Sequence, residues 1–432
     1  MVQLAAVIAA DYRRRILDDE LDELVTALPA IAVEGAKAVG KTATASQRAT
    51  TIHELDDPDQ RALAEADLDR LLAARGPVLI DEWQYLPAVW DKVRRAVDGG
   101  APPGQIFLTG SSSPKDTGTH SGGGRIVNLR MRPLSLAERL DSPPTVSLAD
   151  LLSGDRRAIR GETDMDLEGY TDEILRSGFP GLRNLSGRPL RIQLDSYIQR
   201  VVDRDFPELG HPVRNPGALR RWMAAYAAAT STTASFETIR NASTSGHDDK
   251  PARGTVTPYR DVLGRLFILD PVPAWRPTRS HIRELASPPK HHLADPALAA
   301  RLLGATASSL LAGESPGPVI ARDGPLLGAL LESLITLSAR VYSQASEAAV
   351  GHFRTHRGER EVDLMVQRAD GRVVALEVKT TATPRDADLK HLHWLANQIG
   401  DELLDAAVIT TGKHAYRRDD GIAVIPAALL GP

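Results

Sequence analysis

The chain has 432 residues, 25% of them charged and 42% hydrophobic, with 12 histidines, no cysteine and a formal charge of -4. That length suits about three domains, and the balance is that of globular protein, not of disordered or membrane-embedded chain. The lack of cysteine excludes disulfides, thiolate metal sites and cysteine nucleophiles, and a charge so near zero means that any nucleic acid must be met by a local basic face.

The opening stretch Met1 to Ala10 is apolar but short, and Arg13-Arg14-Arg15 follows it, the reverse of the secretory order. No later run approaches membrane-spanning length, so a cytoplasmic protein without a membrane partner is expected. Residues 1–28 read as a helical lead-in. The apolar run Ala30-Ile31-Ala32-Val33 predicts a strand, and residues 35–42 then read G-x-x-x-x-G-K-T, a phosphate loop opening a helix. The pattern points to ATP and Mg²⁺. Gly35, Ala38, Val39, Gly40, Lys41, Thr42 and Ala43 would wrap the phosphates, with Lys41 as a point charge on the β and γ oxygens and the Thr42 hydroxyl on the metal.

A helical pattern over 61–74 breaks at Arg75-Gly76-Pro77, and Val78-Leu79-Ile80 predicts a strand that ends on Asp81 and Glu82. Phosphoryl transfer needs a metal-orienting acid and a residue that prepares water. Asp81 is assigned the first role and Glu82 the second, on a strand expected beside that of the phosphate loop. After a helix over 88–97, residues 105–112 form a further strand whose Thr109 and Ser111 can hold the water or sense the γ-phosphate. A loop rich in Gly, Ser, Thr and Pro over 114–124 is closed by Arg125, a candidate arginine finger for its own chain or a neighbouring copy. Strands alternating with helices argue for a parallel sheet with its chemistry at the carboxyl ends.

Residues 147–222 are helical in pattern, with a turn at Ser177-Gly178-Phe179-Pro180-Gly181. Three short helical segments at 224–230, 236–242 and 256–266, then the extended Phe267-Ile268-Leu269, suit a winged helix-turn-helix, with the polar insert 243–254 carrying Lys250 and Arg253 before its third helix. The last third returns to α/β texture: a helix over 324–341, strands at 362–366 and 373–378, a helix over 386–399 and a strand at 406–410.

Two of these strands form a hairpin that carries Asp363 and then Glu377-Val378-Lys379. On adjacent antiparallel strands the two carboxylates can converge on one Mg²⁺ or Mn²⁺, while Lys379, on the same face as Glu377, steadies a hydroxide or developing charge. Glu332, an acid inside an apolar helical stripe, is a third metal-side candidate, and Gln398 is a candidate bridge to substrate. Lysine is scarce, nine against 43 arginines, so Lys41 and Lys379 stand out as positions where a compact ammonium is wanted.

The order G-x-x-x-x-G-K-T, L-I-D-E, L-T-G-S-S, S-G-F-P, then Y-I-Q-R-V-V-D-R-D over 197–205, E-V-D-L and L-E-V-K resembles a prokaryotic group of AAA+-type ATP-binding proteins. The resemblance implies a P-loop NTPase core over 1–145, a helical and winged-helix portion over 146–290, and a C-terminal α/β domain over 291–432 similar to the PD-(D/E)xK restriction-endonuclease fold. It also implies ATP binding and interaction with DNA. The reading of the whole is an α/β multidomain Mg²⁺-dependent ATPase, in one copy or as a homo-oligomer, whose nucleotide state controls a DNA-directed, nuclease-like module. The alternative is a nucleotide-regulated switch that grips DNA or a protein with little catalysis.

Overall fold

The computed structural model describes residues 12–112, 123–244, 253–277, 288–322, 324–355 and 358–432. Most of the Gly/Ser loop before Arg125, most of the polar insert with Lys250, and the apolar start lie outside the described residues. The chain divides into two compact units. One holds residues 1–133 with 261–268, and the other holds 134–260 with 269–432. The expected boundaries at 145/146 and 290/291 therefore fall inside the second unit, because residues 161–162 and 146–147 are paired into sheets built by the C-terminal third.

The first unit opens on helix α1 (Ile16–Leu24) and is organised by strands β1 (Ala30–Glu34), β2 (Thr51–Glu54), β3 (Val78–Asp81), β4 (Ile106–Gly110) and β5 (Val127–Arg130). They form one all-parallel sheet in the order β2-β3-β4-β1-β5. Strands β1, β3 and β4 are apolar because both faces are covered; their buried residues include Ala30, Ala32, Val78, Ile80, Ile106 and Leu108. Helix α2 (Lys41–Ser46) follows the phosphate loop, and helix α3 (Ala88–Asp98) turns Val89, Trp90 and Val93 inward. The strand of Asp81 does not lie beside that of the phosphate loop, as the sequence suggested; β4 stands between them. That order puts Thr109, at the end of β4, between the phosphate-loop strand and the acidic strand.

The second unit contains helices α4 (Pro216–Ala228), α5 (Phe236–Ala242), α6 (Leu326–Ala345) and α7 (Asp386–Ile399), with other helices before and between them. Its main sheet is mixed. Strands β6 (Gly161–Glu162), β7 (Ala349–Arg354), β8 (Glu361–Gln367), β9 (Val373–Val378), β10 (Leu403–Thr410), β11 (His414–Arg417) and β12 (Ala423–Pro426) take the order β6-β11-β12-β10-β9-β8-β7. β9 and β10 are buried throughout and pair in parallel. The hairpin partner β8 is antiparallel to β9, and its described pairing ends at Leu376↔Leu364, next to Glu377 and Asp363. Helix α6 corrects the expectation that no run reaches membrane-spanning length: it has 20 residues, with an 18-residue stretch of mean hydropathy 1.2. Leu330, Leu331, Leu334 and Ile335 are buried on it, and 72% of the helix window is covered within the protein, as in a core helix.

Candidate functional sites

The phosphate loop leaves β1 at Glu34 and turns back through Gly35. A Cβ at Gly35 would run into the carbonyl oxygen of Met131, so only glycine lets β1 and the segment after β5 close on each other here. Gly40 has φ 101° and Ala38 has φ 67°, both in the left-handed region, which reverses the chain into α2. Lys41 is buried and donates to the Ala36 carbonyl at 3.0 Å. Burial pushes its ammonium down to about 8, with Glu82 and Asp81 pulling the other way.

Asp81 gathers the hydroxyls around it. Thr42 Oγ1 donates to Asp81 Oδ1 at 2.8 Å, and the Thr109 hydroxyl donates to the same oxygen. Burial raises the Asp81 carboxyl to about 6, although both hydroxyls favour its ionised form. Glu82 has φ 52°, a left-handed conformation that costs a non-glycine residue of order 1 kcal/mol and turns its side chain off the strand. Ser111 Oγ donates to Glu82 Oε2 at 2.6 Å, and Gln84 bonds both Glu82 and Ser111, the latter at 3.1 Å. The hard oxygen donors of Thr42 and Asp81, beside an ammonium and a glycine turn, fit a Mg²⁺–triphosphate that brings phosphate oxygens and water of its own. Bound there, Mg²⁺ would neutralise phosphate charge as a Lewis acid.

The loop is braced from outside. Arg15, itself buried, donates to the carbonyls of Val39 and Arg132, both at 2.9 Å. Asp18 accepts from Arg48 at 2.7 Å, and the Tyr12 hydroxyl is 2.9 Å from that of Thr44. The triple-arginine stretch read as part of a lead-in therefore supplies one residue that pins the phosphate loop; its position among like charges hid it.

Arg125 does not join this site. It precedes β5, whose register with β1 runs parallel from Ile31↔Val127 to Glu34↔Arg130, so it stands at the edge of the sheet opposite the phosphate loop. There it pairs with Asp98 at 2.9 Å and is about half exposed. Arg130 is the arginine at the carboxyl edge. It is opposite Glu34, its guanidinium lies 3.8 Å over the Phe267 ring, and its charge is among those that lower Lys41.

In the second unit Glu332, Asp363, Glu377 and Lys379 do meet, around a cavity of about 660 Å³. Thr230, Ser231, Thr232 and Thr233 give one wall hydroxyls, and Arg322 and Arg354 add positive charge. What the sequence missed is Lys290. Its ammonium donates to Glu332 Oε1 at 2.8 Å and Asp363 Oδ1 at 3.1 Å, and it lies 2.8 Å from Glu361 Oε1. Burial alone would push it down, but Glu332, Asp363 and Glu361 hold it well above the ordinary lysine value.

Lys379 donates to Glu377 Oε1 at 2.7 Å, and the Val378 N–H donates to Asp363 Oδ2 at 2.9 Å. Glu377 Oε2 is buried without a hydrogen-bond partner; burial and the neighbouring Asp363 push the carboxyl up to about 8. No group of three or more His, Asp or Glu among the described residues is arranged to hold a metal ion. Of Glu332, Asp363 and Glu377, expected on one metal, the first two have the Lys290 ammonium between them. Gln398 is exposed and does not line the cavity; His391, two turns earlier on α7 and about 10 Å back along its axis, does.

Residues 28–140 match the family described as AAA domain, residues 167–309 a domain of unknown function, DUF8612, and residues 327–430 another, DUF4143. Uncharacterized proteins of Mycobacterium bovis and Mycobacterium tuberculosis are each 24% identical to the chain over 413 residues, 92% of this chain and 80% of theirs. A Walker-type ATPase of Pyrococcus abyssi is similar at a TM-score of 0.41 and 17% identity, over 68% of this chain and 96% of that one. The AAA match and the phosphate-loop geometry together support an AAA-type P-loop ATPase region in residues 28–140.

Proposed function

We propose that this chain is a Mg²⁺-dependent cytoplasmic ATPase that hydrolyses ATP at the residue 35–42 loop. The observation that carries the reading is the meeting of Lys41, Thr42, Asp81 and Glu82 at the carboxyl edge of one parallel sheet. The loop's backbone N–H groups and Lys41 hold the phosphates, Thr42 and Asp81 offer oxygens to the metal, and Glu82, braced by Ser111 and Gln84, orients and polarises the attacking water. Arg130 supplies positive charge from β5. The test is Glu82→Gln: ATP binding retained with turnover lost supports the assignment, and unchanged turnover removes Glu82 from it.

The nucleotide state is proposed to act on the second unit, with DNA as its ligand on the strength of the resemblance; the segments 224–230, 236–242 and 256–266 keep the winged-helix reading. Two readings of that unit remain, a nuclease and a module that grips without cutting. Lys290 favours the second, because it occupies the centre of the acid cluster that cleavage would require for metal. DNA incubated with Mg²⁺ or Mn²⁺ decides between them. Cleavage that is lost in both Asp363→Ala and Lys379→Ala restores the nuclease, whereas ATP-dependent retention of intact DNA supports the switch.

A further inference from the structure

Lys290 is placed by backbone as well as by charge. Residues Val272 and Lys290 form an antiparallel bridge in which each N–H donates to the other's carbonyl at 2.9 Å. The next residue is fixed too: His291 N–H donates to Thr232 O at 2.9 Å. The lysine side chain is 1% exposed and cannot swing to solvent without breaking up the core around it.

The oxygens that a restriction-endonuclease-like site would give a divalent ion are engaged otherwise. Glu332 Oε1, Glu361 Oε1 and Asp363 Oδ1 surround the ammonium at 2.8, 2.8 and 3.1 Å, which are N–H···O spacings and well beyond the roughly 2.1 Å that Mg²⁺ demands. Asp363 Oδ2 takes the Val378 N–H, Glu361 Oε2 takes Arg354 at 2.8 Å, and Glu377 Oε1 takes Lys379. Two of the eight oxygens remain, Glu332 Oε2 and the buried Glu377 Oε2, where a divalent ion wants about six donors. Charge points the same way. Even with Glu332, Glu361, Asp363 and Glu377 all ionised, Lys290, Arg322, Arg354 and Lys379 match them, and the proton that burial favours on Glu377 adds to the positive side, so a divalent ion would leave buried positive charge in excess.

We propose that Lys290 is the resident cation of this pocket, standing in the place a divalent ion would take, so that the acid cluster holds its shape without metal. The inference deepens the non-cleaving reading of the second unit and rests on it, while ATP turnover plays no part in it. In chemical terms the pocket is a preorganised, hydroxyl-walled polar site whose cations at least match its acids, with Glu377 Oε2, while it holds its proton, open to a hydrogen-bond acceptor on whatever ligand enters.

The experiment is a Mn²⁺ titration of the nucleotide-free full chain by electron paramagnetic resonance, so that the first unit lacks the phosphates its metal needs. Wild type is expected to show no Mn²⁺ binding that Asp363→Asn removes. Lys290→Met, which keeps the stem and deletes the charge, is expected to gain one Mn²⁺ site at least about tenfold tighter than any in wild type, abolished by adding Asp363→Asn. Should Lys290→Met fold only when Mn²⁺ is supplied during refolding, that dependence counts as the same gain. Wild-type Mn²⁺ binding lost in Asp363→Asn overturns the proposal, as does a folded Lys290→Met that binds none. If the variant folds under neither condition, the wild-type titration decides alone. Wild-type metal binding without DNA cleavage would end the inference and leave the non-cleaving reading standing.

Discussion

Thr42 and Asp81 come from elements 39 residues apart, one opening the helix after the phosphate loop and the other ending a strand two places away, and the threonine hydroxyl donates to the carboxylate at 2.8 Å. The pairing holds both oxygen donors at one point beside Lys41. These two oxygens would hold a Mg²⁺ there, which would supply Lewis-acid charge to the phosphates. Asp81→Asn retains the shape but removes the negative oxygen, so Mg²⁺-dependent turnover should fall about 100-fold or more, with nucleotide binding in chelator nearly unchanged. Steady-state turnover together with fluorescent-nucleotide binding checks this; equal losses in both would assign Asp81 to folding instead of metal.

Lys41 makes nucleotide binding a proton-linked event. Its ammonium is pushed down to about 8 by burial, and a triphosphate must draw it back up. Below pH 7 the lysine is already charged and binding takes up little proton. Near pH 8 about half a proton should enter with ATP, and affinity should fall as pH rises further, by up to tenfold per unit. Calorimetry in buffers of different ionisation enthalpy reads the uptake directly. Heat independent of buffer at pH 8 would remove the linkage, and Lys41→Met should show none.

The parts of this architecture that the chain displays openly are those set by local chemistry. Residues 35–42 carry their motif in glycine spacing, and β9 was legible because Val373 to Leu376 is an apolar run, with Val378 after Glu377, as a doubly covered strand needs. Strand order was not legible. The insertion of β4 between β1 and β3 is decided by crossovers that leave no mark on either strand, so Asp81 was assigned the right edge of the sheet and the wrong neighbour. Arg125 falls away from its own chain's phosphate loop for a related reason: a residue before a strand and a residue after it lie at opposite edges, and within one chain the second is the one at the phosphate edge. Lys290 was hidden by distance, since its partners Glu332 and Asp363 lie 42 and 73 positions away. Lysine scarcity was nevertheless a signal for it, and the scarcity argument was applied only to Lys41 and Lys379.

The two arginines can be separated by activity. Arg130→Ala removes a cation at the nucleotide edge and should lower kcat by at least about tenfold with a smaller change in KM, the pattern of a charge felt mainly in the transition state. Arg125→Ala breaks an exposed, solvent-screened pair with Asp98, and turnover should stay within about twofold. Arg125 can serve only a neighbouring copy, so both variants should be assayed over a wide range of protein concentration. A loss in Arg125→Ala that appears only as wild-type activity rises with concentration would restore it as a finger acting between copies.

Glu377 ties the stability of the second unit to pH with a definite sign. Its carboxyl is raised from 4.5 to about 8, first by burial and then by Asp363, against the pull of Lys379 and Lys290. Between those values the folded chain holds a proton that the unfolded chain has lost, so stability is full below about pH 4.5 and declines as pH rises toward 8. One such group contributes a slope of up to ~1.4 kcal/mol per pH unit. Glu332, also raised, titrates in the same direction, and a comparison with Glu377→Gln isolates the share of Glu377. The amide keeps the shape of the protonated acid and cannot ionise, so the variant should match wild type near pH 5 and exceed it near pH 8. Calorimetric unfolding of both proteins from pH 5 to 8.5 measures the difference. A gap that stays constant across that range would mean that Glu377 is already ionised in the folded chain and that Lys379 and Lys290 together outweigh its burial.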